Sequence, residues 1–283
     1  MEYKKENLIK SPLNYTGGKY KLLPQILSLF PEKIDTFIDL FCGGCNVGIN
    51  VKAKNIICND IVEQLIDLYE SFKNNTIDDT YKHIYQRINE YGLSKTNKEG
   101  YLKLREDYNK NKNPLDLYVL ICYCYNNQIR FNSKGEFNRA FGMNRSEFNI
   151  ALESRLKLFI EELKNKNFTF TNKQFYDLDI NSLEYDDFIY IDPPYLITYP
   201  DYSGEEWNEI SERKLLDLLD NINKKEVKFA LSNVLEHDGK SNDILKDWSK
   251  KYNINYLNHT YKNANADKKV KNGKSIEVLI TNY

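Results

Sequence analysis

Short apolar segments rich in β-branched and aromatic residues recur along this chain, and helical patterns separate many of them. Six segments predict buried strands, at 36–41, 55–59, 168–175, 188–191, 227–234 and 277–283. Apolar residues at helical spacing predict helices at 22–30, 61–72, 148–163 and 211–222, the last with Ser211 as its N-cap. Because strands that alternate with helices build largely parallel sheets, we predict an α/β fold.

The alternation breaks between residues 61 and 167, which are polar and mainly helical in pattern. A turn-rich segment at 131–137 predicts a β-hairpin around Ser133, Lys134 and Gly135. We therefore expect a helical lobe at 61–167, inserted into a domain made of residues 1–60 and 168–283. A chain of 283 residues can bury one core together with such a lobe.

Composition excludes several classes of protein. The chain has no apolar run long enough to cross a bilayer, and its first residues lack the apolar core of a signal peptide. We therefore expect a cytoplasmic protein, no membrane association, and five reduced cysteines. Cys42 and Cys45 are spaced like a metal or redox pair, but only Cys58 lies nearby and the histidines are scattered, so no metal site is expected. The net charge of −1 argues against a uniformly basic surface, although 126–145 and 262–274 are locally basic.

The sharpest chemical signal is the tetrad Asp192-Pro193-Pro194-Tyr195, directly after the apolar segment 188–191. Ligands of open α/β sheets bind at the carboxyl ends of strands. An aromatic amine is a poor nucleophile until acceptors hold its hydrogens, and the Asp192 carboxylate and Pro193 carbonyl could supply two acceptors. Tyr195 offers a flat face on which an extruded base could stack. The simpler interpretation is a strand that ends in a rigid turn.

A glycine-containing loop follows the first predicted strand, in Asp39-Leu-Phe41-Cys-Gly43-Gly44, and Asp60 closes the next strand. Glycines allow close backbone approach, and we expect a helix to begin after them with free N–H groups. An acidic residue about 20 positions later can accept both hydroxyls of a ribose. The loop lacks the nicotinamide fingerprint, which favours a different adenosyl ligand. Steric packing alone would also explain the glycines.

Two further segments could contact ligands. In 14–19, Tyr15 could pack on a ligand and Lys19 could reach a carboxylate, although the segment could equally be a simple helix start. In 125–142, basic and amide side chains alternate with phenylalanines, and arginine and asparagine are common readers of bases. Lysines nearby can hold phosphates. The alternative is a polar hairpin packed on the core.

Taken in order, these motifs resemble the Dam-like family of DNA adenine-N6 methyltransferases, including those of type II restriction-modification systems. The resemblance covers residues 14–283. Its elements are Tyr15-Thr-Gly-Gly-Lys19, Asp39-Leu-Phe-Cys-Gly43, Asn59-Asp60, the 126–142 hairpin, Asp192-Pro-Pro-Tyr195, the 229–234 strand and Glu277-Val-Leu-Ile-Thr-Asn-Tyr283. The order, with cofactor motifs first, then a recognition insert, then the catalytic tetrad, is similar to the α arrangement of that family.

The resemblance implies a Rossmann-like S-adenosylmethionine-dependent methyltransferase sheet, with 61–167 as the target-recognition lobe. The residues it assigns to S-adenosylmethionine are Tyr15, Lys19, Asp39, Phe41, Gly43, Asp60, Phe175 and Asp192. Asp192 and Pro193 would hold the target amine, and Tyr195 would stack on the flipped base. The residues expected to contact DNA are Arg130, Asn132, Lys134, Asn138 and Arg139. Two departures stand out: Tyr15 replaces a frequent tryptophan, and Gln174 replaces an acidic residue that commonly precedes the phenylalanine.

The implied activity is site-specific transfer of a methyl group from S-adenosylmethionine to N6 of a flipped adenine in double-stranded DNA. We expect a monomer in a bacterial or phage-infected cell, with a cognate restriction endonuclease acting on the same site as a partner. Two other functions stay open. The first is methylation of another planar amine, such as an RNA base or a protein glutamine, and the second is a DNA-binding module whose active site has decayed. Asp192 and the basic hairpin favour DNA over the first, and the intact tetrad speaks against the second.

Overall fold

The computed structural model describes residues 5–198, 207–258 and 275–283. Within these ranges the strands form one mixed sheet, in the order β3-β2-β1-β4-β5-β8-β7, with the short β6 paired to β5. The strands are β1 (Thr36–Asp39), β2 (Asn55–Asn59), β3 (Phe168–Thr171), β4 (Phe188–Ile191), β5 (Lys228–His237), β6 (Lys240–Ser241), β7 (Asn253–Leu257) and β8 (Ile276–Thr281).

Parallel pairing positions the candidate site. Strands β3, β2, β1, β4 and β5 are parallel neighbours, whereas β8 runs antiparallel between β5 and β7. In register, Asp39 of β1 pairs with Cys58 of β2 and with Tyr190 of β4. The carboxyl ends of these strands therefore meet at one edge of the sheet, where ligands of α/β folds bind. The predicted α/β, Rossmann-like fold is confirmed.

The helices lie between and beside these strands. They are α1 (Leu23–Ser28), α2 (Glu63–Asn74), α3 (Ile77–Glu90), α4 (Lys98–Asn111), α5 (Pro114–Tyr123), α6 (Ile150–Asn165), α7 (Glu209–Lys224) and α8 (Asp243–Ser249). Asparagine caps most of the longer ones, because its side-chain oxygen accepts N–H groups that the first turn leaves free. The cap of α7 is Asn208, which accepts from the amides of Ile210 and Ser211, so the prediction of Ser211 as the cap was wrong by one turn.

Side chains on the two faces of the sheet pack into two apolar clusters. Phe37 and Phe188 face the cluster that includes α2, α5 and α6, whereas Ile38 and Ile189 face the cluster that includes α7 and α8. This alternation follows from the period of two along a strand. The first cluster runs without a break from β1–β3 into the helices of 61–167, so the lobe and the sheet share buried apolar surface.

Several predicted boundaries need correction. The first strand ends at Asp39 rather than at 41, and β3 ends at Thr171 rather than at 175. The helix expected after the glycine loop is absent between 41 and 54, where the described backbone makes consecutive turns with positive φ at Gly43 and Cys45. Strands β6 and β7 were not predicted. The hairpin is present: Phe131 bridges Phe137 in antiparallel fashion. Among the helices of 5–198, 207–258 and 275–283, none is both long and apolar enough to cross a membrane.

Candidate active site

The tetrad lies at the tip of β4, and its carboxylate is held from two sides. The Lys19 Nζ lies 2.8 Å from Asp192 Oδ2, and the Tyr195 hydroxyl donates to Asp192 Oδ1 at 3.0 Å. The ammonium also lies 5.0 Å from the centre of the Tyr195 ring. The Asp192 side chain remains 18% exposed. Its position is therefore fixed while one side stays open to a ligand.

Lys19 reaches this position because of the loop before it. Gly17 has φ of +75°, a conformation that residues with a Cβ rarely adopt, and Gly18 is followed by a single 3-10 turn that begins at Lys19. The ammonium donates to the Gly17 carbonyl at 2.8 Å and lies 3.9 Å from Glu277 Oε1 on β8. Lys19 and Glu277 are each 3% exposed. The motif 15–19 thus supplies a buried cation to the strand tips.

Three carboxyl groups and one ammonium make up this buried group, which we call the strand-tip cluster: Lys19, Asp39, Asp192 and Glu277. Within the described residues, neither carboxylate oxygen of Asp39 has a hydrogen-bond partner. Burial and the charge of Asp192 raise the pKa of Asp39 well above its usual range, and the backbone amide of Gly48 opposes the rise. Burial also raises the pKa of Asp192, against the lowering effects of Lys19 and Tyr195. A cationic ligand would favour the ionised forms of these carboxyl groups.

The glycine loop packs tightly against Tyr15. A Cβ added to Gly43 would lie 2.9 Å from Tyr15 Cε1, and one added to Gly44 would lie 2.9 Å from Tyr15 Cβ. The Tyr69 hydroxyl donates to the Gly43 carbonyl at 2.6 Å. Because Gly43 and Gly44 have no Cβ, their loop can lie directly on Tyr15, in the loop that precedes Lys19.

Asp60 is joined to the loop of Gly43 and Gly44 by a hydrogen bond. Its Oδ2 accepts from the Gly43 amide at 2.9 Å, and its Oδ1 accepts from the Val62 amide at 2.9 Å. Burial raises the pKa of Asp60, and these two amides oppose the rise. Each carboxylate oxygen has two lone pairs, so further acceptor capacity remains. The structure thus gives Asp60 a part in shaping the loop beyond the ribose contact expected from spacing.

An aromatic cavity of about 280 Å³ lies beside the strand tips. Its lining residues are Leu40, Phe41, Asn59, Ile61, Lys173, Gln174, Phe175, Tyr176, Pro194, Trp207, Ile210, Ser211 and Lys214. Phe41 follows Asp39 by two residues, and Pro194 belongs to the tetrad, so the cavity continues from the strand-tip cluster. Asp192 itself does not line it. Flat apolar walls with the side-chain amide of Gln174 suit a purine ring.

The hairpin at 125–142, which we call the recognition hairpin, is attached to the loop that carries Lys19. Asn14 Nδ2 donates to the Asn126 carbonyl at 2.7 Å, and Gln128 Nε2 donates to Thr16 Oγ1 at 3.2 Å. The base of the hairpin therefore lies beside the candidate active site.

The five predicted DNA-contacting side chains of the hairpin differ in exposure and in their hydrogen bonds. Asn132 closes the turn, because its Oδ1 accepts from the amides of Lys134 and Glu136 at 3.0 Å each. Arg130 is exposed, and its Nε donates to Asn138 Oδ1 at 3.0 Å. Arg139 donates to the Tyr125 carbonyl at 3.2 Å and to Gln128. The Lys134 side chain is exposed. The basic segment 262–274 lies outside the described residues.

Comparison with known proteins agrees with this geometry. Residues 15–263 match the family described as D12 class N6 adenine-specific DNA methyltransferase. The chain belongs to this family. It is 51% identical over 287 aligned positions to the type II methyltransferase M.FokI of Planomicrobium okeanokoites, covering 100% of this chain and 44% of that protein. It is 49% identical to the modification methylase StsI of Streptococcus sanguinis, covering 97% of this chain and 43% of that protein. The chain thus spans less than half the length of these two relatives.

A shorter relative in the comparison is the DNA adenine methylase of Haemophilus influenzae, which is 28% identical over 81% of this chain and 79% of its own length. S-adenosylmethionine is the methyl donor of the D12 methyltransferase family. The described residues fit this cofactor: the aromatic cavity suits its adenine, and the carboxyl groups of the strand-tip cluster suit its cationic end. Of the sequence-predicted residues, Lys19 and Asp39 belong to the strand-tip cluster, and Phe41 and Phe175 line the cavity. Gly43 packs on Tyr15 and donates its amide to Asp60.

Sequence reasoning missed two residues of this D12 site, Trp207 and Glu277. Trp207 lines the cavity together with Phe41 and Phe175, and its ring contacts both of theirs. Glu277 sits beside Lys19, although the two are far apart in sequence. The only sequence signal for Glu277 was an acidic residue at the start of an otherwise apolar strand. Trp207 had no signal beyond its being one of two tryptophans.

Proposed function

We propose that this chain transfers a methyl group from S-adenosylmethionine to N6 of an adenine extruded from double-stranded DNA. The observation that carries the proposal is the Asp192 carboxylate, fixed by Lys19 and Tyr195 at a strand tip beside an aromatic cavity. Membership of the D12 family supports the adenine and the donor.

Asp192 and Pro193 would hold the two hydrogens of the target amine and so orient its lone pair. S-adenosylmethionine, when bound, supplies an electrophilic methyl group on a sulfonium sulfur. The N–C bond forms as the C–S bond breaks, the sulfur becomes a neutral thioether, and the nitrogen gives up one proton. The Asp192 carboxylate is the proton acceptor, which requires it to be ionised when the base docks. Positioning and preorganised acceptors supply the acceleration.

Tyr195 has two parts to play in this scheme. Its hydroxyl donates to Asp192 Oδ1, and its ring is the surface on which we propose that the extruded adenine stacks. Docking of the base would then exchange the hydroxyl contact for the amine contact at the same oxygen. Lys19 holds the other oxygen throughout.

The lobe at 61–167 is proposed as the target-recognition domain, with residues 1–60 and 168–283 as the catalytic domain. Exposed Arg130 is the strongest base-reading candidate, and Lys134 suits a phosphate contact. Asn132 and Asn138 act within the hairpin, by closing its turn and by holding Arg130. Type II naming of the relatives supports a restriction endonuclease acting on the same site, and a monomer is the proposed working state.

The test is transfer of radiolabelled methyl groups to DNA, followed by nucleoside mass spectrometry. We expect N6-methyladenine with the parent and a loss of at least about a hundredfold with Asp192→Ala. Asp186→Ala, which removes an exposed partner of Lys33, is the matched control and should label normally. Equal labelling by Asp192→Ala and the parent would refute the role of Asp192. Absence of labelling in both, with tight DNA binding retained, would favour a decayed DNA-binding module.

A further inference from the structure

Trp207 is the third wall of the aromatic cavity. Its ring centre lies 5.8 Å from that of Phe41, at an interplanar angle of 81°, and 5.6 Å from that of Phe175, at 50°. The three rings thus enclose one side of a space of about 280 Å³. Such an arrangement suits a flat aromatic ligand, which gains from stacking and edge contacts with each wall.

The orientation of Trp207 is set by a buried carboxylate. Glu212, in the first turn of α7, is fully buried, and its Oε2 accepts from the indole Nε1 of Trp207 at 2.7 Å. Its other oxygen accepts from Asn242 Nδ2 at 2.9 Å and from Asn233 Nδ2 at 3.5 Å. Glu212 therefore links the indole to β5 and to the start of α8.

A carboxylate in this position is costly for a merely structural contact. Its hydrogen-bond donors are all neutral, and burial raises the pKa of Glu212. Burying a carboxylate without a cation costs free energy that neutral donors offset only in part. An indole nitrogen can only donate, so a strong acceptor is what fixes the plane of its ring. The buried Glu212 carboxylate is explained if the indole ring of Trp207 must be held at one angle to contact a ligand.

We propose that Trp207 contacts the adenosyl part of S-adenosylmethionine and that Glu212 is a positioning residue that acts through the indole N–H. The inference rests on the proposed function, because it takes S-adenosylmethionine as the occupant of the cavity. Phe41 and Phe175 were assigned to the cofactor from sequence, and Trp207 shares their cavity.

The chain contains a matched control for this pair. Trp248 is the second of two tryptophans, is partly buried like Trp207, and donates its indole N–H to Asp220 Oδ1 at 2.9 Å. Asp220 also belongs to α7. Trp248 packs instead against Phe229 and Tyr252, and it does not line the cavity. Substitutions of Trp248 and Asp220 therefore disturb the same kind of indole–carboxylate hydrogen bond, with the carboxylate on the same helix α7, but away from the cavity.

The experiment measures binding of S-adenosylhomocysteine by isothermal titration calorimetry, with melting temperature recorded for every variant. We expect Trp207→Ala to raise Kd by about tenfold or more, as for loss of stacking on a base. Glu212→Gln should raise Kd by about tenfold in the parent but by less than about twofold in the Trp207→Phe background, where no indole N–H remains. Trp248→Phe and Asp220→Asn should leave Kd within about twofold of the parent.

Fluorescence gives a second, independent reading. In Trp248→Phe the emission comes from Trp207 alone, and S-adenosylhomocysteine should quench it; in Trp207→Phe the ligand should leave the emission of Trp248 unchanged. Normal Kd in Trp207→Ala would overturn the contact while leaving S-adenosylmethionine as the cofactor. An equal effect of Glu212→Gln in both backgrounds would overturn the positioning role. Absence of binding by the folded parent would overturn the inference together with the cofactor assignment on which it rests.

Discussion

The strand-tip cluster and the recognition hairpin use polar side chains in opposite ways. In the cluster, Lys19, Asp39 and Glu277 are almost fully buried, come from different elements of the sheet domain, and stand where parallel strands end. In the hairpin, Arg130 and Lys134 are exposed and their neighbours are local. The first arrangement fixes geometry before a ligand arrives, whereas the second leaves side chains free to adapt to a polyanion. Chemistry and recognition should therefore respond differently to substitution.

The largest effect should come from Asp192→Asn. An amide keeps the shape of the side chain but loses the charge that pairs with Lys19 and one of the two acceptor oxygens. We expect single-turnover methyl transfer to fall by about a hundredfold to a thousandfold, the range for loss of one preorganised group. DNA affinity should stay within about threefold, since the hairpin is untouched. A large fall in DNA affinity with a normal transfer rate would reverse the assignment of roles.

Lys19→Gln should have the next largest effect, and it should be visible in pH dependence. Asp192 must be ionised, so activity falls as pH falls through its pKa, which burial raises and Lys19 lowers. Removing the ammonium raises that pKa further, and the acid limb of the kcat profile should move to higher pH. Lys19→Arg retains the charge and should shift the limb less.

Lys19→Gln should also lose stability, because Asp192 loses the ammonium with which it forms an ion pair. The expected loss is about 3–5 kcal/mol in the free energy of unfolding, measured with urea. Lys33→Gln, which breaks an exposed pair with Asp186, should change neither the pH profile nor the unfolding midpoint. An acid limb that stays in place, or moves to lower pH, in Lys19→Gln would contradict the cluster's role.

Arg130→Ala should alter sequence choice rather than rate. If the guanidinium makes a bidentate base contact, discrimination between the preferred site and its single-base variants should fall by about 1–3 kcal/mol. Methylation of the preferred site at saturating DNA should stay within about threefold of the parent. The measurement is sequencing of methylated DNA with modified-base detection. An unchanged site preference would exclude Arg130 as a base reader.

Lys134→Ala should have the smallest effect. A phosphate contact contributes to affinity without sequence information, so binding should weaken evenly across sequences, and the slope of log K against log salt should decrease by about 1. Lys225→Ala, at the end of α7 and far along the chain from the hairpin, is the control. Equal slopes for Lys134→Ala and the parent would exclude a phosphate contact by Lys134.

The sequence predicted the sheet and the tetrad because local patterns encode them. The buried strand Phe188–Ile191 is an uninterrupted apolar run, and the tetrad follows it directly. Strand β7 was missed because Asn-Ile-Asn-Tyr-Leu is only partly buried at the sheet edge, so its pattern is weak. Turns replace the expected helix after Gly43 and Gly44 because the chain there adopts positive φ and packs on Tyr15.

The parts of the site that escaped prediction depend on contacts between distant residues. Glu277 meets Lys19 across almost the whole chain, and Trp207 is held by Glu212, Asn233 and Asn242 through a network with no local signature. The DNA contact of Asn132 stays a prediction, and its oxygen also accepts from two amides of its own turn. Side-chain partners of this kind follow from topology and register rather than from residue type.

The most direct test of the central claim is a crystal structure of the protein with S-adenosylhomocysteine and a duplex that contains the target site. The account predicts an extruded adenine whose N6 lies within hydrogen-bond distance, about 2.7–3.2 Å, of the Asp192 carboxylate and the Pro193 carbonyl, with Lys19 still on Asp192. An adenine that docks elsewhere, or an Asp192 carboxylate that faces away from the base, would contradict it.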